Sequence, residues 1–222
     1  MSGKNSMPDR PYFILNCAMS ADGKIATVTG EARISDEADK LRTHQLRAEV
    51  GAILVGSGTV LCDNPRLNVR RCEGTSPVRV VVDSSAKSPS DSHIFDGSVE
   101  TLLFVTEAAS SEKVAILKER CDVILCGKKK VELEKMAQKL YERGIKTVMV
   151  EGGGTLNWYM FEADLIDEVR FAIAPVIFGG KDATHVVSGD GFLTRDASVK
   201  LELKEMKEKG EMVCLTYVVV RD

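Results

Sequence analysis

The sequence predicts a single α/β domain that contains a mixed, mostly parallel sheet with flanking helices and a C-terminal antiparallel hairpin. Between residues 78 and 161 the apolar patterns alternate in the order β, β, α, β, α, β, α, which is typical of parallel strands covered by helices. The last two apolar runs, residues 201–206 and 212–220, are joined by polar residues around Gly210 and predict the hairpin. A length of 222 residues suits one domain with a substantial core, here residues 11–222.

Composition and charge are those of an ordinary soluble globular protein, with 44% hydrophobic and 28% charged residues. The net charge of −3 and the lack of a long basic run argue against a nucleic-acid partner. No apolar run is long enough to span a membrane, so no membrane association is expected. Residues 1–10 are polar and predict a flexible tail without a signal-peptide pattern, which leads us to expect a cytoplasmic protein.

Neither the cysteines nor the histidines are spaced as metal ligands. The six cysteines contain no C-x-x-C pair, and the three histidines, His44, His93 and His185, stand singly. Three of the cysteines lie in apolar runs, where a reduced cysteine behaves as a small hydrophobic residue. We therefore expect no metal site.

The first part of the chain predicts three buried strands and one helix. The strands are residues 12–18, 52–55 and 78–82. Ser35 is expected to cap a helix over about residues 36–48, because acidic residues fill the first turn after it. Residues 20–24 follow the first strand with an Asp-Gly pair, which favours a plain turn over a ligand-covering loop.

The connections after the second and third strands are polar or rich in glycine. Residues 56–61 predict a glycine-flexible turn, and Asp63 and Asn64 precede a proline, which predicts that an element ends there. Arg70 follows as a candidate phosphate binder, with an exposed basic face as the alternative. Residues 85–98 are rich in Ser, Asp and Pro and predict an exposed connection.

The second half of the chain adds four strands and three helices before the hairpin, and the third helix follows a run of three glycines. The strands are residues 101–106, 123–126, 147–150 and 169–175. Ser110 or Ser111 is expected to cap a helix that runs to about residue 120. A second helix carries its apolar stripe over residues 133–140 and is expected to stop at Gly144, a natural residue after a helix end.

Three consecutive glycines, residues 152–154, follow a short strand directly after Glu151. Apolar residues at i, i+3, i+4 and i+7 from Leu156 predict a helix after these glycines. A strand, a glycine turn and a helix N-terminus together present free backbone N–H groups to an anion such as a phosphate. The run matches neither G-x-G-x-x-G nor the P-loop pattern, so a phosphate site and a structural turn both stay open at this point.

Several loops with functional side chains leave the carboxyl ends of predicted strands. The acidic residues on them are Asp22, Asp63, Asp83 and Glu151. In a parallel sheet these ends meet at one edge, so we expect a cleft there, with Arg47 and Arg70 available to a phosphorylated substrate. No nucleophile motif or paired-carboxylate motif is evident, and we expect the chemistry to come from a bound cofactor.

Five motifs in order give the chain a family resemblance. They are residues 20–26 (SADGKIA), 55–67 (VGSGTVLCDNPRL), 80–84 (VVVDS), 151–156 (EGGGTL) and 173–180 (IAPVIFGG). Together they resemble the reductases of riboflavin biosynthesis, above all the single-domain archaeal members, over about residues 11–220. Several motifs that match in order are far more specific than any one of them.

The resemblance implies a dihydrofolate-reductase-like fold, a homodimer, and NADPH as hydride donor, with NADH possible. It implies reduction of the ribosyl group of a pyrimidine ribosylamine phosphate to a ribityl group. The substrate is expected to be 2,5-diamino-6-ribosylamino-4(3H)-pyrimidinone 5′-phosphate. The alternatives are the deaminated uracil, a pterin, or a non-catalytic NADP(H)-binding regulator.

The resemblance also implies roles for individual residues. Glu151 and Asp63 are the catalytic candidates. The expected cofactor contacts are Ala18, Thr59, Asp63, Val81, Val82, Asp83, Ser84, Gly152, Gly153, Gly154, Thr155 and Leu156. The expected substrate contacts are Arg47, Leu67, Arg70 and Glu151. Separately, the lysines at 128–130 could neutralise the 2′-phosphate of NADPH or could form a solvated charge run.

Overall fold

The computed structural model describes residues 10–221 of the chain. Of the predicted flexible tail, residues 1–9 lie outside the described residues. Arg10 is held in place, because its guanidinium donates hydrogen bonds of 2.8 and 2.7 Å to the two carboxylate oxygens of Asp167.

Nine strands in the described part of the chain form one sheet. They are β1 (Tyr12–Ser20), β2 (Ala52–Gly56), β3 (Val78–Val82), β4 (Thr101–Val105), β5 (Asp122–Leu125), β6 (Thr147–Gly152), β7 (Glu168–Ala174), β8 (Lys200–Lys209) and β9 (Met212–Val220). The order across the sheet is β5-β4-β3-β2-β6-β1-β7-β9-β8. The first seven strands are mutually parallel, and β9 runs antiparallel to both β7 and β8. The predicted mixed sheet and its C-terminal hairpin are confirmed.

Five α-helices connect or flank these strands. They are α1 (Glu37–Glu49), α2 (Ser57–Asp63), α3 (Ser111–Lys118), α4 (Leu133–Glu142) and α5 (Gly154–Glu162). The predicted end of α4 is confirmed, since Gly144 follows it with a φ of +81°, a conformation that suits glycine. Within the described residues, no helix is long and apolar enough to cross a membrane.

The central strands bury side chains on both faces of the sheet. Leu54 and Val150 point to the face covered by α4 and α5, and they form the larger core with Met136 and Met160. Val55 and its neighbours point to the opposite face, where α2 and α3 cover them. Successive side chains along a strand point to opposite faces of the sheet. Because both faces are covered here, side chains on both are apolar, and the strands appear in the sequence as continuous apolar runs.

The helix α1 begins one residue later than its predicted cap implies. Asp36, not Ser35, is the capping residue, and its carboxylate accepts a hydrogen bond of 2.7 Å from the backbone N–H of Asp39. Ser35 Oγ instead donates to the Asp39 carboxylate at 2.5 Å. Both residue types suit the cap position, and only the backbone geometry decides between them.

Two segments predicted as irregular have more structure than expected. Residues 57–61, predicted as a glycine-flexible turn, form most of the short helix α2, which ends at Asn64 with a φ of +40°. The segment 85–98, predicted to be exposed, contains a 3₁₀ turn that buries Ile94 and Phe95 in the core beneath α2 and α3. Both predictions were wrong. They relied on the glycine-rich or polar composition of each segment and overlooked a few apolar residues that pack into the core.

Candidate active site

Two adjoining cavities open at the carboxyl ends of the parallel strands. The large cavity has a volume of about 860 Å³ and lies over the ends of β2, β3 and β6. The small cavity has a volume of about 460 Å³ and lies between β1, α1 and the residues that follow α2. Cys17, Ala32 and Glu151 line both cavities, so these three residues mark a junction between them.

The large cavity is built around the glycine turn between β6 and α5. A Cβ atom on Gly153 would lie 3.6 Å from Thr59 Oγ1, so the turn packs directly against α2. No side chain caps α5, because Gly153 stands at its cap position. The N–H groups of its first turn are therefore available to an anion at the end of the helix dipole.

Most of the expected cofactor residues line the large cavity. Those that do are Thr59, Asp63, Val82, Asp83, Ser84, Gly153, Gly154, Thr155 and Leu156. Gly153, Asp83 and Thr59, which come from distant parts of the chain, thus lie on one cavity. Three expected residues lie elsewhere. Val81 is fully buried in the core beneath α2 and α3, Gly152 is buried against Asn157, and Ala18 lines the small cavity.

Two of the four acidic residues expected around the cleft use their carboxylates in hydrogen bonds to nearby loop residues. Asp83 is fully buried, and its Oδ2 accepts hydrogen bonds of 2.7 Å from both N–H and Oγ of Ser88. Asp22 lines neither cavity; it accepts from Ser20 Oγ at 2.6 Å and from the backbone of Phe178 at 3.1 Å. These bonds hold the pKa of Asp22 at about 2, so its carboxylate is a structural anion.

The carboxyl of Asp63 lies at the end of α2 on the wall of the large cavity. Although the residue is exposed at its outer side, partial desolvation by the cavity wall raises the pKa of this carboxyl. Asp63 does not line the junction or the small cavity. Its position suits a contact with a molecule in the large cavity better than a role at the junction.

A buried ion pair links the two cavities. Arg47 on α1 donates two hydrogen bonds of 2.7 Å to the two carboxylate oxygens of Glu151, one from Nε and one from Nη2. The side chains are only 10% and 15% exposed. Arg47 Nη1 also donates to the carbonyl oxygen of Asn68 at 3.2 Å. The pair joins α1, the end of β6 and the residues after α2, and it fixes the Glu151 carboxylate at the junction.

Of the arginines and lysines on the small cavity, Arg70 has no carboxylate partner among the described residues. It is exposed, and its Nη1 donates to Asn68 Oδ1 at 2.9 Å. The other cations on this cavity lie against glutamates; they are Arg33, Lys40, Arg47 and Arg71. Leu67, expected to contact the substrate, lines neither cavity and is 2% exposed in the core beneath α2 and α3.

Sequence reasoning assigned no role to several buried polar groups on the small cavity. His44 is 3% exposed and accepts a hydrogen bond of 3.2 Å at Nδ1 from the backbone N–H of Arg70. Asn16 accepts at Oδ1 from Arg42 at 2.7 Å. His44 lies one helical turn before Arg47, and Asn16 interrupts an apolar strand. Both patterns are weak signals that could have pointed to this cavity.

Cys17, at the junction, is a protonated thiol. Burial, with the nearby Glu151 carboxylate as the next cause, raises its pKa to about 12. A nucleophilic cysteine needs a lowered pKa and a positive neighbour. The junction is therefore unsuited to covalent thiol chemistry.

A segment distant in the sequence packs against the N-terminal part of α5, next to the large cavity. The backbone N–H of Ser188 donates to the carbonyl oxygen of Gly154 at 3.0 Å, and Asn157 Nδ2 donates to the carbonyl oxygen of Val186 at 2.7 Å. A Cβ atom on Gly154 would collide with the carbonyl oxygen of His185, so glycine is required for this close approach.

Comparisons with known proteins agree on one family. The model of the RibD C-terminal domain matches residues 11–215. A 2,5-diamino-6-ribosylamino-4(3H)-pyrimidinone 5′-phosphate reductase of Methanothermobacter thermautotrophicus is 46% identical over 213 residues, which are 95% of this chain and 99% of the relative. A protein of the same name from Archaeoglobus fulgidus is 39% identical, over 87% of this chain and 93% of the relative.

Solved structures show the same architecture. A deaminase/reductase of Thermotoga maritima has a TM-score of 0.80 and 27% identity, over 95% of this chain and 57% of that chain. The riboflavin biosynthesis reductase Rib7 of yeast has a TM-score of 0.72 and 25% identity, over 98% of this chain and 94% of that chain. Dihydrofolate reductase of Enterococcus faecalis, with a TM-score of 0.51 and 12% identity over 94% of this chain and 96% of that chain, shares the fold alone.

Proposed function

Because this chain belongs to the RibD C-terminal domain family, we propose that it is the reductase of riboflavin biosynthesis that acts on 2,5-diamino-6-ribosylamino-4(3H)-pyrimidinone 5′-phosphate. The proposal rests on relatives of this name that match nearly the whole chain. The observation that carries it is the junction of the two cavities at Glu151. A reductase needs a cofactor site and a substrate site that meet at one point, and two cavities that share Glu151 support this proposal.

NADPH is the proposed cofactor, and the large cavity is its proposed site. The residues present fit a dinucleotide: α5 has an N-terminus without a side-chain cap, and Gly153 at that end lets the backbone approach a pyrophosphate closely. Lys130 and Lys87 line the same cavity and offer positive charge to a 2′-phosphate, which supports NADPH over NADH. When bound, the nicotinamide supplies a hydride.

The small cavity is the proposed substrate site. Arg70 has a guanidinium with no carboxylate partner among the described residues, which suits the 5′-phosphate. A ring-opened ribosylamine is an imine; its C1′ gains a hydride and its nitrogen gains a proton, which leaves a ribitylamine. In our proposal the fixed Glu151 carboxylate stabilises the cationic iminium at the junction, and Asp63 contacts the cofactor.

We further propose that the enzyme works as a homodimer in the cytoplasm. The six cysteines are free, which suits a reducing compartment. Beyond β7 the sheet carries an uncovered apolar face, with Leu203 50% and Met206 68% exposed. Register places Leu203 beside Tyr217, and Met206 beside Leu215, so these residues form one surface that a second copy could cover.

A direct assay tests the proposed reaction. The purified protein is incubated with NADPH and either the diaminopyrimidinone or the deaminated uracil form of the substrate, and absorbance at 340 nm is followed. We expect NADPH oxidation with the diaminopyrimidinone and a much lower kcat/KM with the uracil, together with formation of the ribityl product by mass spectrometry. Oxidation with neither substrate would rule out the reductase assignment, and a preference for the uracil would correct its substrate.

A further inference from the structure

His44 lines the small cavity, and one of its two ring nitrogens is engaged in a hydrogen bond. Nδ1 accepts the hydrogen bond from the backbone N–H of Arg70, so Nδ1 cannot carry the proton of a neutral ring. In the neutral imidazole the hydrogen must then lie on Nε2. Nε2 makes no hydrogen bond within the described residues, and His44, which is 3% exposed, lines the small cavity.

The surroundings of His44 keep its ring neutral. Burial is the main cause that lowers the pKa to about 4, and the positive charges of Arg47 and Arg70 act in the same direction, against a smaller opposing effect of Glu151. At neutral pH the ring is therefore an acceptor at Nδ1 and a donor at Nε2. The Nε2–H is not one of the fully buried unpartnered groups of the described residues, so a ligand oxygen in the small cavity can accept its hydrogen bond in place of water.

We propose that His44 is a substrate-binding residue whose Nε2–H donates to an oxygen of the substrate's 5′-phosphate, beside the guanidinium of Arg70. The inference rests on the proposed function and deepens it. The two groups in question, the imidazole Nε2–H and the guanidinium of Arg70, can only donate. The ribosyl hydroxyls and the pyrimidinone carbonyl also accept, but only the phosphate combines several acceptor oxygens with a negative charge, which favours contact with both donors.

The same residue connects the phosphate to the loop that binds it. His44 Nδ1 holds the backbone of Arg70, and Asn68 Oδ1 holds its guanidinium. His44 therefore affects the phosphate in two ways, through its own donor and through the position of Arg70. Different substitutions separate these two effects, because asparagine retains an acceptor near the Nδ1 position and glutamine retains a donor near the Nε2 position.

The test compares His44→Asn and His44→Gln in steady-state kinetics with NADPH and with the substrate in phosphorylated and dephosphorylated forms. For His44→Asn we expect a KM for the phosphorylated substrate raised about tenfold, with the KM for NADPH unchanged. On the dephosphorylated substrate His44→Asn should match the wild type. His44→Gln keeps the donor but loses the acceptor that holds Arg70, so its KM for the phosphorylated substrate should rise by no more than about threefold, and its KM for the dephosphorylated substrate should match the wild type. His93→Asn, which alters an exposed histidine away from both cavities, is the matched control.

The possible outcomes test the role of His44 separately from the reductase assignment. If the wild type reduces the substrate and His44→Asn leaves its KM unchanged, the role of His44 is refuted while the reductase assignment stands. An equal rise in KM on both substrate forms would place His44 against another part of the substrate and would also refute it. If both variants fail to fold, the Nε2–H signal of His44 in wild-type ¹⁵N NMR is followed during titration with ribose 5-phosphate; a shift supports the proposal, and an unchanged signal overturns it.

Discussion

Glu151 has two functions at the residue scale, because it forms the junction between the cavities and balances the buried charge of Arg47. The two hydrogen bonds of 2.7 Å leave its carboxylate no freedom to rotate away. Removing one partner of a largely buried ion pair typically costs about 3 kcal/mol, since the other charge stays buried without compensation. This residue therefore matters to stability as well as to the chemistry that we propose.

Replacing Glu151 by glutamine should reduce kcat at least about a hundredfold while NADPH still binds. The physical reason is that the amide cannot stabilise a cationic iminium, whereas the large cavity retains its glycine turn and helix N-terminus. NADPH fluorescence titration measures binding, the 340 nm assay measures turnover, and thermal unfolding should show a lowered Tm. Asp122→Asn, which breaks an exposed pair with Arg143 away from both cavities, is the control and should change neither quantity. Full activity in Glu151→Gln would remove Glu151 from the site.

Side-chain direction limits what can be predicted about single residues from the sequence. Glu151 and Arg70 could be identified because charge at a strand end or after a glycine-containing motif points to a cleft. Val81 and Val82 are adjacent in β3, yet only Val82 lines the large cavity, because successive side chains point to opposite faces. Leu67 belongs to the same matched motif as Asp63, but its side chain is buried in the core. A motif therefore predicts which segment lies at the cavity, whereas the backbone conformation determines which of its side chains line it.

At the scale of the element, the hairpin of β8 and β9 exposes large apolar side chains on one face. Along β8, Leu203 and Met206 lie on one face, while Glu205 and Lys207 pair with each other on the other. A strand at the sheet edge with one exposed apolar face is a liability for a lone chain and is usually covered. The same alternation made the hairpin predictable, but it could not show that helices leave this end of the sheet open.

Leu203→Glu should convert the protein from dimer to monomer, because it places a charge in the centre of the apolar face. Light scattering coupled to gel filtration should give twice the chain mass of 24.2 kDa for the wild type and the single mass for the variant. Glu205→Gln, on the charged face of the same strand, should remain a dimer. A wild-type mass of one chain, or an unchanged dimer in Leu203→Glu, would contradict an interface on this face.

At the scale of the whole molecule, strand order brings the site together. The neighbours β3, β2, β6 and β1 are adjacent in the sheet although they are separated in sequence, and their carboxyl ends meet at the two cavities. The elements themselves could be predicted from hydrophobic periodicity. The order of the strands could not, because it depends on which long-range pairings bury the most surface, and it was available only through the family resemblance.

The most direct test of the whole account is a crystal structure of the enzyme with NADP⁺ and the 5′-phosphorylated substrate, in which the distance from nicotinamide C4 to ribosyl C1′ is measured. We expect about 3 to 3.5 Å at the junction beside Glu151, with the pyrophosphate at the N-terminus of α5 and the 5′-phosphate against Arg70. A nicotinamide bound away from the junction, or a substrate that does not reach Glu151, would contradict the proposal that the two cavities form one reductase site.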